Sequence, residues 1–233
     1  MKFAIIAAGE GSRLSQEGIS IPKPLVPLNG VPMIERLTRI FLKNGADSVV
    51  IIINNENETT KKYLIDLQKQ LPLELIVKTT PSSMHSLYEL SPYLGDDKFC
   101  VTTVDTIFRE EEFSGFIKAF QNTEEDGYMA VTDFIDDEKP LYIATGENNL
   151  ITGFYDDKKS DIQYISGGIY CLRQSALNVL KKCLDKGLER MRNFQRELVK
   201  EGLSLQAYPF SKILDVDHAE DIKKAESFLT NNN

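Results

Sequence analysis

Phe3-Ala4-Ile5-Ile6-Ala7-Ala8-Gly9-Glu10-Gly11-Ser12-Arg13-Leu14 is an apolar run that breaks at glycine, and Ile21-Pro22-Lys23-Pro24-Leu25 follows shortly after. The run from Phe3 to Ala7 reads as a strand covered on both faces, too short for a membrane span. Glycines directly after it let backbone N–H groups face an anion closely, because no Cβ stands in the way. Arg13 can grip phosphate oxygens bidentately, and Lys23 adds a compact positive charge. No Gly-Lys-Ser/Thr closes the loop, so it is not a P-loop. It is not the dinucleotide fingerprint either, because Leu14 stands where the third glycine belongs. The plain alternative is a strand-to-helix turn carrying two surface cations.

Outward from this stretch, strand and helix patterns alternate. Ser48 to Ile53, Leu73 to Lys78 and Phe99 to Val104 read as further strands. Pro32 opens a helix with Ile34, Leu37 and Phe41 on one face, and Glu58 to Gln70, Met84 to Leu90 and Glu112 to Gln121 read as others. This alternation predicts a parallel sheet with helices on both faces. After Asp126 four strand patterns follow one another without a helix: Tyr128 to Thr132, Leu141 to Thr145, Leu150 to Phe154 and Gln163 to Cys171. They predict added antiparallel strands and a substrate-facing lobe. Helices return at Gln174 to Lys186 and Arg192 to Glu201, then a strand at Ser204 to Tyr208 and a helix from Ala219 to Phe228, with 231–233 frayed. The expected fold class is therefore α/β, Rossmann-like, with a mostly parallel central sheet and a small antiparallel substrate lobe. The expected organisation is one domain over 1–233: an alternating strand and helix part to about 125, an inserted substrate-facing lobe to about 172, and C-terminal helices beyond.

Composition limits the partners. With 27 Lys plus Arg against 35 Asp plus Glu the formal charge is −8, which argues against nucleic acid or an anionic membrane as ligand. A phosphorylated small molecule stays allowed where a metal and a few placed cations neutralise it. Three cysteines, Cys100, Cys171 and Cys183, form no paired spacing and read as core residues of a reducing compartment, with the cytoplasm as the default.

Asp105 ends the buried run Phe99 to Val104, so its carboxylate is expected in the same crevice as the glycine loop. An oxygen ligand there suits Mg2+; the alternative is a cap on the turn Thr106-Ile107-Phe108. Asp215 and Asp217 lie in Leu214-Asp215-Val216-Asp217-His218-Ala219-Glu220-Asp221-Ile222, where an N-cap role for Asp217 is the competing reading. His218 reads as a surface or helix-start residue. Ser82 and Ser83, in a loop before a helix, can hydrogen-bond a nucleobase or ribose, or simply cap that helix. Arg190, Arg192 and Arg196 form a basic cluster that reads as a solvated helix face, with contact to a phosphate or carboxylate as the alternative.

Ala7-Ala8-Gly9-Glu10-Gly11-Ser12-Arg13-Leu14 with Pro22-Lys23-Pro24-Leu25-Val26-Pro27-Leu28-Asn29-Gly30 and Pro32-Met33-Ile34 closely resembles the nucleoside-triphosphate transferase superfamily, which includes sugar-1-phosphate nucleotidyltransferases and choline-phosphate cytidylyltransferases. The resemblance is tight over 1–45 and recurs in Asp105, Gly167-Gly168-Ile169-Tyr170 and Asp215 to Ile222. It implies that Ala7, Ala8, Gly9, Gly11 and Ser12 bind the nucleotide and that Arg13 and Lys23 are catalytic. Val104-Asp105-Thr106-Ile107-Phe108 is similar to the family's metal-binding Gly-Asp-x-x-Phe, with Val104 in place of glycine. The C-terminal pattern implies Asp215 as second metal ligand, with Asp217 as the fallback. Ser82-Ser83-x-x-Ser86-Leu87 looks nearer to the choline-phosphate branch than to the Gln and Gly-Thr of sugar-nucleotide members, so base and acceptor both stay open.

The reading that follows is a Mg2+-dependent nucleotidyltransferase that takes a nucleoside triphosphate and a sugar 1-phosphate or a phosphoalcohol such as phosphocholine, and releases pyrophosphate. The rivals are a metal-dependent glycosyltransferase, for which Asp215-Val216-Asp217 has the Asp-x-Asp spacing, and a catalytically silent nucleotide-binding regulatory domain. Self-association is left open.

Overall fold

The structure is a computed structural model that describes residues 1–230 apart from 96, 137, 160 and 161. The end at 231–233, expected to fray, lies outside the described residues. In chain order the elements are β1 (Lys2–Ala7), α1 (Ser12–Gln16), β2 (Pro27–Leu28), β3 (Val31–Pro32), α2 (Met33–Lys43), β4 (Val49–Ile53), α3 (Glu58–Leu67) and β5 (Leu73–Val77). They continue with α4 (Ser83–Leu90), β6 (Lys98–Thr103), β7 (Thr106–Ile107), α5 (Glu110–Gln121), β8 (Gly127–Thr132), β9 (Tyr142–Thr145), β10 (Ile151–Tyr155) and β11 (Tyr164–Arg173). The last are α6 (Ser175–Asp185), α7 (Met191–Lys200), β12 (Leu205–Pro209), β13 (Leu214–Asp215) and α8 (Ala219–Thr230).

The apolar runs become a nine-stranded sheet. β1 lies between β4 and β6, parallel to both, and β5 extends the β4 side. On the other side β11 runs antiparallel to β6 and to β8, and β8 is parallel to β12. The sheet is thus mostly parallel, with β11 and, at its edge, β10 as the reversed strands. Of the four strands expected in the antiparallel lobe, β9 and β10 form a side branch on the start of β11. β8 instead lies inside the main sheet.

Residues of both parities on β1 are buried, Phe3 and Ile5 on one face and Ala4 and Ile6 on the other, because helices cover both faces. One core layer packs α2 and α5 through a chain of aromatic contacts, with Phe3, Phe41, Phe113 and Phe108 each about 5 Å from the next ring. The other layer packs α4, α6 and α7. Cys100, Cys171 and Cys183 are fully buried in these layers. The chain leaves β1 toward β4 on one side and returns through β6 on the other. That arrangement opens a crevice beyond the carboxyl ends of β1 and β6, where sheets of this kind bind ligands.

Candidate active site

The loop after β1 runs through Gly11, whose backbone is left-handed at φ 63° and leads directly into α1. A Cβ on Gly11 would lie 2.8 Å from the Cβ of Lys23, so glycine is required both for the turn and for the close approach of the lysine. Lys23 begins a 3₁₀ turn between Pro22 and Pro24. Its ammonium contacts the Asp105 carboxylate and lies 2.7 Å from Asp217 Oδ1. The other oxygen of Asp217 accepts from Arg13 at 2.8 Å. Two cations and two carboxylates from four chain segments therefore close on one another at the crevice.

Asp105 arrives there because β6 ends at Thr103. Asp105 is fixed by the short β7–β13 ladder, in which Asp215 stands opposite Thr106 and Val216 N–H donates to the Asp105 carbonyl at 3.1 Å. Burial pushes the Asp105 carboxyl up, but the Lys23 ammonium outweighs it and holds the group below the usual carboxylate range. Burial likewise pulls Lys23 down, and Asp105 and Asp217 reverse this and hold it well above an ordinary lysine. The second oxygen of Asp105, Oδ1, is buried without a hydrogen-bond partner.

A cavity of about 380 Å³ sits over this cluster. Ala7, Ala8, Gly9, Gly11, Ser12, Arg13, Lys23, Ser82, Ser83, Asp105 and Asp217 all line it. Ser82 caps α4, with Oγ accepting weakly from His85 N–H at 3.5 Å and lying 2.9 Å from His85 Nδ1, so its capping role is real as well. Asp217 does not cap α8. The Asp217 and His218 N–H groups instead donate to Asp221, and Ala219 N–H donates to Glu17 at 2.6 Å. His218 also meets Glu17 through Nδ1, which ties the end of α1 to the start of α8.

Asp215 lines a second cavity of about 310 Å³, which shares Ile6, Ser83 and Thr103 with the first. Its other walls include Lys139, Arg190, Arg192, Ser166, Gly168, Tyr170 and Gln195. Gly168, at φ 73°, lies within a register shift of β11 against β8 that leaves a bulge at this wall. Gln195 is 3% exposed; its amide donates to Tyr170 Oη at 3.2 Å and its oxygen accepts from Ser166 Oγ at 3.2 Å. Burial holds the Tyr170 phenol up at about 12, so it is a neutral hydrogen-bonding group at ordinary pH.

The basic cluster expected on a solvated face divides. Arg190 and Arg192 line the second cavity; Arg192 and Arg196 both pair with Asp156, and Arg196 also donates to the Phe154 carbonyl. Asn54, Lys139, Ser166 and Gln195 were not singled out from sequence. Asn54 was accessible to the switch-point rule, since it follows β4, the neighbour of β1. The other three sit on separated segments with no motif between them.

Fold and crevice together define a Rossmann-like nucleotidyltransferase architecture, a mostly parallel α/β sheet with small antiparallel additions. The chain belongs to the Nucleotidyl transferase family, whose model matches residues 2–232. It is 24% identical to a bifunctional protein GlmU of Methanococcus maripaludis over 99% of this chain and 55% of that protein, so it spans about half the length of that relative. A probable glucose-1-phosphate cytidylyltransferase of Bacillus subtilis is 24% identical, with 78% of each chain covered. Among solved structures, the inositol-1-phosphate CTP transferase of T. maritima superposes with a TM-score of 0.81 at 18% identity, over 99% of this chain and 96% of that one. A putative glucose-1-phosphate thymidylyltransferase from Bacillus anthracis gives 0.84 at 20% identity, over 100% and 96%. Among the described residues, no helix is long and apolar enough to cross a membrane.

Proposed function

We propose that this chain transfers a nucleoside monophosphate from a nucleoside triphosphate to a sugar 1-phosphate or similar polyol phosphate and releases pyrophosphate. The observation that carries the reading is the Lys23–Asp105–Asp217–Arg13 cluster facing a glycine loop at the switch point of the sheet. An oxygen of the acceptor phosphate attacks the α-phosphorus, a new P–O bond forms, and the bond to the β-phosphate bridging oxygen breaks. The nucleophile is already an anion, so no side chain has to remove a proton from it. The site must instead align the two phosphates and neutralise charge that develops on the leaving group. Gly9 and Gly11 offer backbone N–H groups, and Arg13 and Lys23 hold anionic oxygens.

The carboxylates fit Mg2+. They offer only oxygen donors, and Asp105 Oδ1 is buried and unpartnered. Mg2+ usually takes only one or two carboxylates and completes its shell with phosphate oxygens and water, so the Asp105–Asp217 pair is a sufficient donor set. Asp217 shares Lys23 with Asp105, which favours it over Asp215 as the second ligand; Asp215 belongs to the acceptor side. Bound there, Mg2+ would neutralise triphosphate charge.

The second cavity supports a hydroxylated acceptor over phosphocholine. Its wall carries Lys139, Arg190 and Arg192 against Asp215, and its one aromatic lining residue, Tyr170, is 8% exposed. A quaternary ammonium is held by exposed aromatic faces or an excess of carboxylates, and here three cations face the single carboxylate of Asp215. Similar proteins named for glucose 1-phosphate, mannose 1-phosphate and inositol 1-phosphate agree with this choice.

The test is a grid of nucleoside triphosphates against sugar 1-phosphates, inositol 1-phosphate and phosphocholine with Mg2+, scored for pyrophosphate. Turnover with a hydroxylated acceptor, lost in Asp105→Asn, is the expected result. Nucleoside diphosphate release from a nucleotide sugar would indicate the glycosyltransferase instead, and nucleotide binding without turnover the silent domain.

A further inference from the structure

Lys23 enters the site between Pro22 and Pro24, whose rings fix φ on either side of it. Its stem packs against Gly11, where no Cβ could stand. The backbone is held, so the freedom that remains lies in the rotatable bonds of the lysine side chain. That side chain is 12% exposed, and its ammonium touches both Asp105 and Asp217. Arg13 takes the remaining oxygen of Asp217. Lys23 and Arg13 together thus engage three of the four carboxylate oxygens, and the fourth is the unpartnered Asp105 Oδ1.

We propose that Lys23 is an exchangeable internal cation: it holds the Asp105–Asp217 pair until a triphosphate draws its ammonium away, so that triphosphate and divalent metal bind with positive coupling. The inference rests on the reading of Asp105 and Asp217 as metal ligands. The space between two carboxylates cannot hold an ammonium and a divalent ion together, because like charges at contact distance repel strongly in a partly buried site. A triphosphate on the glycine loop offers the ammonium replacement oxygens, and the carboxylates are then released to a metal. By linkage the coupling is reciprocal, so the metal strengthens triphosphate binding by the same factor. Arg13 is 52% exposed on Asp217 and contributes less, since solvent screens it. Lys23 on this view has two tasks. It contacts phosphate, and it keeps the carboxylate pair compact and neutralised before substrate arrives.

The experiment reads metal binding rather than turnover. Mn2+ is titrated into the purified chain and followed by electron paramagnetic resonance, with and without inorganic tripolyphosphate, whose own complex with Mn2+ is subtracted from a protein-free titration. Wild type should bind Mn2+ weakly alone and about ten- to a hundredfold more tightly with tripolyphosphate. Lys23→Met, which keeps the packed stem, should bind Mn2+ alone more tightly than wild type by a similar factor and gain little from tripolyphosphate. Lys23→Arg, which retains the charge, should behave like wild type or bind more weakly. Circular dichroism checks that each variant is folded. Equal or weaker Mn2+ binding by Lys23→Met, with binding still abolished in Asp105→Asn, would overturn the exchange while leaving the metal ligands in place. Unchanged Mn2+ binding in Asp105→Asn would overturn the ligand assignment and the exchange together.

Discussion

The two cavities that meet at Ile6, Ser83 and Thr103 are walled in opposite ways. On the glycine-loop side, charges of both signs are pressed together: Arg13 and Lys23 on Asp105 and Asp217. On the β11 side the wall is a neutral, interlocked set, Gln195 with Ser166 and Tyr170, bordered by cations. The first arrangement suits a reacting phosphate chain, where charge must be matched as it moves. The second suits selection among hydroxylated acceptors, where fixed hydrogen-bond directions matter more than net charge. The difference teaches that losses on the two sides should appear in different kinetic constants.

The largest separation is expected from Lys23→Ala and Asp105→Asn. Each should reduce the pyrophosphate release rate by about 10²–10³ or more, with less effect on acceptor KM. Next comes Arg190→Ala on the other side. Its guanidinium is exposed and, among the described residues, has no side-chain partner, so a charge-assisted contact with the acceptor is available. Losing such a contact should raise acceptor KM by roughly tenfold or more and leave the triphosphate KM unchanged. An equal rise in both constants would dissolve the distinction between the cavities.

Gly11→Ala tests how the charged side is built. The left-handed backbone and the approach of Lys23 both reject a Cβ, so thermal or denaturant unfolding should show a loss of about 1–2 kcal/mol, with turnover falling as Lys23 shifts. The smallest effect belongs to Asp156, which pairs with Arg192 and Arg196 beside the second cavity. Hydrogen bonds from Arg192 and then Arg196 lower the Asp156 pKa in the folded state. Its contribution is therefore present above the ordinary carboxylate pKa and lost as pH falls through the folded value. Because the Asp156 side chain is 54% exposed and solvent screens its ion pairs, Asp156→Asn should cost under about 1 kcal/mol near neutral pH and flatten the stability profile on the acid side.

The same contrast explains what was legible in the sequence. The glycine loop, Lys23 and Asp105 could be read because each sits at the end of a strand or in a short contiguous motif. Fold class followed from the alternation of buried runs with amphipathic helices. The pairing of β8 with β12 could not be read, since those strands are far apart in sequence and nothing local distinguishes β8 from β9. Arg190 and Arg192 looked like a solvated helix face because helical spacing records where a residue sits on a helix, not what stands opposite. For the same kind of reason sequence left Asp217 divided between a helix cap and a fallback metal ligand. Only the fold shows that Asp221 and Glu17 take the capping task and release Asp217 to Lys23.

Phosphorus NMR of the wild-type chain with Mg2+, the four common nucleoside triphosphates and a panel of sugar 1-phosphates and inositol 1-phosphate follows every phosphorus atom through the reaction. The proposed transfer requires pyrophosphate and a nucleoside diphosphate ester of the acceptor to appear together in equal amounts while triphosphate and acceptor phosphate disappear. Nucleoside diphosphate or inorganic phosphate as the first product, or no new resonance with any pair, would contradict it.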